Sequence, residues 1–157
     1  MEIERKFLIS KLPENLHQYP FHELEQAYLC TDPVVRIRRS DDSYYLTYKS
    51  RGLLAREEAN LPLHAEGYAH LLTKADGTVI RKKRYLLPLP KGYPSQLVIE
   101  LDVFEAPFQG LVLAEVEFSS EEQALAFTPP AWFGQDVTFS KKYHNSRLSC
   151  LGGIQEL

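Results

Sequence analysis

Ionisable side chains recur in this sequence at every second position, a spacing that gathers charge on one face of an extended chain. At its start Glu2, Glu4 and Lys6 alternate with Ile3, Arg5 and Phe7, and the two-residue period of a β-strand sets the first three on a common face. One such strand means little, because surface strands turn their polar row to water. The pattern returns, however. Arg36 and Arg38 flank Ile37; Arg56, Glu58 and Asn60 alternate; Lys82 and Arg84 follow Ile80; Glu100 and Asp102 interleave with Ile99, Leu101 and Val103; Glu115 and Glu117 flank Val116. Strands that share a sheet would pool these rows on one surface, and closing the sheet would make that surface an interior. The interior set would then hold the cations Lys6, Arg36, Arg38, Lys49, Arg56, Lys82 and Arg84 and the acids Glu2, Glu4, Glu58, Glu100, Asp102, Glu115 and Glu117. So many buried charges persist only if they pair, stay hydrated or hold a ligand. Guanidinium forks and ammonium groups suit phosphate oxygens. Carboxylates suit a hard divalent cation such as Mg²⁺ or Mn²⁺, which keeps water and bridges to phosphate. Both demands meet in a polyphosphate carrying a metal ion.

The elements that must position these rows can be read in order. Lys11 to Pro20 carries two prolines and reads as a loop or short helix. His22 to Cys30 leads into a strand containing Tyr28, and Asp32-Pro33 marks a turn. Val34 to Arg39 and Tyr44 to Ser50 are strands joined through Asp41-Asp42-Ser43, a hairpin. Leu53 to Leu63 is the next strand, with Pro62 near its end, where a missing donor does least harm. Parity there turns Glu58 inward, and a bulge would substitute Glu57. Tyr68, Leu71 and Leu72 recur at helical spacing within His64 to Ala75, and Asp76-Gly77 ends that helix. Thr78 to Leu87, Gln96 to Phe104 and Leu111 to Ser119 return to the strand period. Ser120, with Glu121 and Glu122, opens a helix to Phe127, since a hydroxyl caps free amides and acids suit the helix's positive end. A last helix spans Lys141 to Leu151. Trp132 and Phe133 beside prolines read as a hydrophobic plug. The class is α+β, and repeated charged rows favour a barrel over an open sheet.

Composition narrows the field. A chain of 157 residues that is 44% hydrophobic fits one domain, 1–157. A net charge of −3 argues against a nucleic-acid footprint, which calls for a basic excess. Neither a basic leader followed by an apolar run nor a stretch approaching the ~18 apolar residues of a membrane helix is present, so no membrane partner is expected and a cytoplasmic location is. Cys30 and Cys150 lack metal-ligand spacing and read as reduced, buried thiols. The five histidines show no ligand spacing either.

Taken together, ExExK at Glu2, Glu4 and Lys6, RxR at Arg36 and Arg38, Lys49 in YLTYKSRG, RKKRY around Lys82 and Arg84, LDVFEAPFQGLVLAEVEF ending in Glu115 and Glu117, and DVTFSKKYHNSRL resemble the CYTH family of triphosphate tunnel metalloenzymes along nearly the whole chain. The resemblance implies an antiparallel eight-stranded β-barrel with flanking helices, whose lumen binds triphosphate. It implies phosphate contacts from Lys6, Arg36, Arg38, Lys49, Arg56, Lys82 and Arg84, with Lys142 at a terminal helix that closes one mouth. Glu2, Glu4, Asp102, Glu115 and Glu117 would serve a Mg²⁺ or Mn²⁺ site, and Lys6, Glu4 and Glu58 the chemistry. Glu100 fits either a lumenal or an outer, salt-bridged position, and Tyr28 either the lumen or ordinary packing. The sequence departs from many relatives at Ser140, where they carry an acid. The activity implied is hydrolysis of inorganic tripolyphosphate by a monomer or homodimer. The alternatives are an organic triphosphate (thiamine triphosphatase, nucleoside triphosphatase or class IV type adenylate cyclase), a non-catalytic polyphosphate-binding module, and a lipocalin-like carrier, which the charged rows disfavour.

Overall fold

The computed structural model describes residues 1–157. Nine strands form one sheet: β1 (Glu2–Leu8), β2 (Phe21–Thr31), β3 (Val34–Ser40), β4 (Ser43–Lys49), β5 (Ala55–Arg56), β6 (Glu58–Leu63), β7 (Asp76–Pro88), β8 (Val98–Phe104) and β9 (Val112–Glu117). Three short helices accompany them: α1 (Ala65–Leu72), α2 (Glu121–Ala126) and α3 (Asn145–Leu148). The strand order is β5-β1-β9-β8-β7-β2-β3-β4-β6, and every pairing is antiparallel. The two strands at the ends of that order, β5 and β6, are separated in sequence by Glu57 alone. One chain segment therefore runs from one edge of the sheet to the other and nearly closes it into a barrel. The ninth strand arises there: the single strand expected over Leu53 to Leu63 breaks at Glu57, whose backbone amide donates to Ser50 Oγ at 2.9 Å and whose carbonyl accepts from Ser50 N.

The barrel is inside-out along much of its length, with charge inward and apolar layers outside the wall. Ile3, Phe7, Ile99, Leu101, Ala114 and Val116, the partners in parity of the charged rows, pack under α2 and the Phe127 to Phe133 segment. Phe133 stacks 5.0 Å from Phe7, and Trp132 meets Phe133 edge-on. A second layer sets Ala27 and Ile37 beneath Tyr68 of α1, whose hydroxyl donates to Glu25 Oε1 at 2.8 Å. α2 starts where its acids and Ser120 indicate, the Ser120 hydroxyl accepting from Gln123 N at 3.1 Å.

At one end the inward rows themselves turn apolar. Val34, Ile80, Phe104 and Leu113 continue the charged rows of their strands and, with Tyr28 of β2, pack with Leu148 of α3. That plug closes the lumen by burial of apolar surface, the main favourable contribution in folding. The C-terminal helix is shorter than its Lys141 to Leu151 expectation, because Lys141–Tyr143 forms a separate 3₁₀ turn and α3 spans four residues. Asp76-Gly77 opens β7 directly, with Gly77 at φ +73° where a Cβ would meet the Ser149 carbonyl at 2.2 Å. Cys30 and Cys150 are exposed and unpaired, contrary to the expectation of buried thiols. Cys30 lies at the end of β2 beyond the plugged stretch, and Cys150 just after α3. No helix is long and apolar enough to cross a membrane.

Candidate active site

Strand register decides which charges meet. Across β1 and β9, Lys6 opposes Glu115 and Glu4 opposes Glu117; across β8 and β9, Glu100 opposes Glu115. Arg84 of β7 opposes Asp102, Lys49 of β4 opposes Glu58, and Glu2 opposes Arg56 of β5. These side chains surround a cavity of about 360 Å³ whose lining includes Glu2, Glu4, Lys6, Arg36, Arg38, Lys49, Arg56, Glu58, Arg84, Glu100, Glu115 and Glu117. The signs are partitioned. β1, β9 and β8 supply an acidic wall, and β3 with β7 a basic one.

Several ions are already paired. Lys49 Nζ sits 2.9 Å from both oxygens of Glu2 and 3.3 Å from Glu58, Lys6 Nζ 3.5 Å from Glu115, and Arg84 2.9 Å from Glu100. Two features are not balanced within the protein. On the acidic wall Glu4 stands directly opposite Glu117 with no cation at ion-pair distance from either, whereas the opposed Glu100 and Glu115 are neutralised by Arg84 and Lys6; like charges directly opposite destabilise a sheet. Burial, Glu115 and Glu2 push the Glu4 carboxyl up to about 8. Burial, Glu2 and Glu100 also raise Glu117. On the basic wall, burial and neighbouring Arg38 lower Arg36 to about 10, and its buried Nε has no hydrogen-bond partner. One wall is short of positive charge and the other short of an acceptor.

Those deficits match a divalent cation on one side and an anion on the other. Glu2, Glu4, Glu115 and Glu117 offer the carboxylate oxygens a hard cation selects. No three acidic, histidine or cysteine side chains converge closely enough to make a closed metal cage. The donor set therefore suits an ion that retains water and completes its shell with phosphate. Glu115 is held well below its usual range because Lys6 and Arg84 outweigh the upward push of burial. Glu58 is held at about 2, where hydrogen bonding from Glu2 and the charge of Lys49 outweigh burial.

Three predicted site residues lie elsewhere. Asp102 has the inward parity expected of it but is fully buried behind the lining, its oxygens 2.6 Å from Lys82 Nζ, 2.8 Å from Arg84 Nε and 2.9 Å from an Arg84 terminal nitrogen. Two cations saturate it, and it anchors Arg84 instead of facing the cavity as a metal ligand. Lys82, 1% exposed, lies at the same depth and also donates to Asn145 Oδ1 at 3.1 Å. It holds α3 to the barrel and does not reach the cavity lining. Lys142 is exposed, with its ammonium 5.4 Å from the centre of the adjacent Tyr143 ring. The mouth is approached by Asn145 and Ser146 instead. The open alternatives also resolve: Glu58 faces the cavity and Glu57 is exposed, and both Glu100 and Tyr28 line the cavity.

Sequence reasoning passed over the residues that hold the basic wall in place. Gln26 Oε1 accepts from Arg38 Nε at 2.8 Å and also from its terminal nitrogen, while Gln26 Nε2 donates to Asn145 Oδ1 at 3.0 Å. Thr47 Oγ1 accepts from Arg36 at 3.1 Å. Gln26 shares inward parity with Tyr28, so its direction was readable, but an uncharged residue gave no reason to look. His144 beside α3 was also passed over; burial and the charges of Lys6, Arg56 and Lys49 lower it to about 4.

Comparison with known proteins agrees with this geometry. The CYTH domain family model matches residues 1–149. An inorganic triphosphatase of Nitrosomonas europaea is 41% identical over 152 residues, 94% of this chain and 96% of that protein. An inorganic triphosphatase of Acetivibrio thermocellus is 32% identical over 151 residues, 94% of this chain and 92% of that one. The crystal structure of the inorganic triphosphatase NE1496 superimposes with a TM-score of 0.71 at 36% identity, covering 96% of this chain and 95% of that one. A charged lumen built from these motifs, and likeness of this extent in sequence and in fold, mean that the chain belongs to the CYTH domain family.

Proposed function

We propose that this protein is a metal-dependent inorganic triphosphatase: water attacks the terminal phosphorus of tripolyphosphate, the adjoining P–O anhydride bond breaks, and pyrophosphate and orthophosphate leave. The observation that carries this reading is the split lumen, in which the unpaired acids Glu4 and Glu117 face Arg36, whose buried Nε has no acceptor, within one cavity. Arg36, Arg38 and Arg84 would clamp phosphate oxygens, with Lys6 and Lys49 as further point charges and Arg56 at the rim. Their fixed positive charge offsets what accumulates on the bridging and equatorial oxygens as the bond loosens, and each such contact is worth of order 10²-fold in rate. Glu2, Glu4, Glu115 and Glu117 would hold Mg²⁺ or Mn²⁺, which when bound supplies Lewis-acid polarisation of phosphate oxygen and water. Burial and its acidic neighbours leave Glu4 protonated near neutral pH in the metal-free lumen, and a bound cation would displace that proton. Glu58, held at about 2, is a poor base and instead helps to orient Lys49.

The choice of inorganic substrate is supported by the lining, in which only Tyr28, Val34 and Tyr45 are hydrophobic, a surface poor in the apolar contacts that a nucleobase or thiazole ring would need. The names of the two relatives and of NE1496 point the same way. We take residues 1–157 as one catalytic domain. The two exposed, free thiols support a reducing, cytoplasmic setting. The test is phosphate release from tripolyphosphate, ATP, thiamine triphosphate and pyrophosphate with Mg²⁺ and with Mn²⁺, with cyclic AMP assayed alongside. Tripolyphosphate is expected to be turned over fastest, and Lys6→Ala or Glu4→Ala to abolish turnover in a folded protein. A preference for ATP, a cyclic product, or full activity in either variant would overturn the proposal.

A further inference from the structure

A second cavity, of about 600 Å³, adjoins the first, and the two share Val34, Lys49, Arg56 and Ser146 in their walls. Their charge differs in kind. The first mixes carboxylates and cations strand by strand, whereas the second adds Arg51, Lys141 and Arg147 to the shared Lys49 and Arg56 and has Asp32 as its one acid. Asp32 is itself occupied, 3.0 Å from Arg51 Nε and 2.8 Å from an Arg51 terminal nitrogen. Lys141, in the 3₁₀ turn before α3, and Arg147, on α3 itself, are exposed, and no acidic side chain comes within ion-pair distance of either. Although Asp32, His144 and Cys150 also line this cavity, no three such side chains converge as a metal site, and its cations are in surplus for binding an anion.

We infer that this vestibule is a second, metal-independent subsite for phosphoryl groups, reached from the catalytic cavity past Lys49 and Arg56. Its natural occupant is the far end of a condensed phosphate longer than three units, whose leading phosphates lie in the charged lumen. A separate phosphate ion shares the same chemistry. The inference rests on the triphosphatase reading for the lumen but turns on Lys141 and Arg147, which play no part in it. Exposed cations interact weakly and are screened by salt, so the subsite adds affinity in small, salt-sensitive steps of up to roughly fivefold per cation.

Calorimetric titration of the full chain in metal-free buffer tests this, with tripolyphosphate, a linear polyphosphate several times longer, and orthophosphate as probes. The wild type is expected to bind the longer chain more tightly than tripolyphosphate. The double variant Lys141→Ala/Arg147→Ala is expected to lose most of that preference, up to roughly twenty-five-fold from two cations, at unchanged affinity for tripolyphosphate, which also reports that the variant is folded. Should the occupant be a separate ion, the longer chain gains nothing, and orthophosphate binds alongside tripolyphosphate in the wild type but not in the variant. Identical titrations of wild type and variant with all three probes would overturn the subsite. Failure of the wild type to bind tripolyphosphate even after Mg²⁺ is restored would instead refute the reading of the lumen.

Discussion

Replacing Asp102 by alanine separates a structural anchor from a metal ligand. Asp102 is fully buried and bonded to two cations, Lys82 at 2.6 Å and Arg84 through two nitrogens. Its removal leaves both without their main counter-ion. Lys82 has an escape, because burial already depresses its ammonium and the amine can shed its proton; Arg84 has none. Breaking a buried pair by deleting one partner costs about 3–5 kcal/mol. In a chain of 157 residues each kcal/mol moves the melting temperature by about 2–4 °C, so a fall of roughly 6–20 °C is expected. Thermal and urea unfolding of metal-free Asp102→Ala would measure it, with Glu117→Gln as control. The control removes a carboxylate that opposes Glu4, so its stability should hold or rise while divalent-metal affinity falls. A metal-ligand role for Asp102 predicts the reverse pattern. If Asp102→Ala melts with the wild type and loses only metal binding, the anchoring argument is wrong.

Other consequences follow from the same charges. Glu4, raised to about 8, holds a proton in the folded state that the unfolded chain releases above its ordinary range near 4.5. Metal-free stability should therefore fall as pH rises from about 4.5 to 8, and Glu4→Gln should flatten that slope in a urea-midpoint series. Because a divalent ion competes with that proton, Mg²⁺ binding near neutral pH should release protons, seen as a dependence of binding heat on the buffer's ionisation enthalpy; removing the metal with a chelator should restore the slope. Gln26→Leu strips Arg38 of its acceptor, and KM for tripolyphosphate should rise about tenfold with a smaller change in kcat; an unchanged KM would deny Gln26 a positioning role. Ser120→Ala removes the cap of α2 and should cost about 1 kcal/mol, a drop of about 2–4 °C in melting temperature, with activity intact.

Which face a side chain takes was legible in the sequence, and how deep it lies was not. Period-two alternation set Glu2, Glu4, Lys6, Arg36, Arg38, Glu58, Arg84 and Glu117 toward one lumen because parity is a local property of an extended chain. Depth along the barrel depends on register with a neighbouring strand and on what fills the ends, and neither is local. Asp102 and Lys82 show the difference: both have the right parity, yet both lie behind the cavity. The missing coordinate was nevertheless written in the rows, at the point where each turns apolar. The inward row of β1 passes from Lys6 to Leu8, of β3 from Arg36 to Val34, of β7 from Lys82 to Ile80, of β8 from Asp102 to Phe104, and of β9 from Glu115 to Leu113. The charge next to each boundary is 5% exposed or less, whereas Glu2, Glu4, Arg84, Glu100 and Glu117, one or two steps further out, are not among the buried residues. Contact with the apolar plug is what desolvates the boundary charge: Lys6 with Glu115 and Lys82 with Asp102 answer by pairing within the protein, whereas Arg36 keeps an unpartnered Nε. Depth beside that apolar edge therefore accounts for Lys82 and Asp102, which pair with each other behind the cavity, while within the lining a missing partner, as at Arg36 Nε, and not depth or charge alone, marks the side chain left for a ligand.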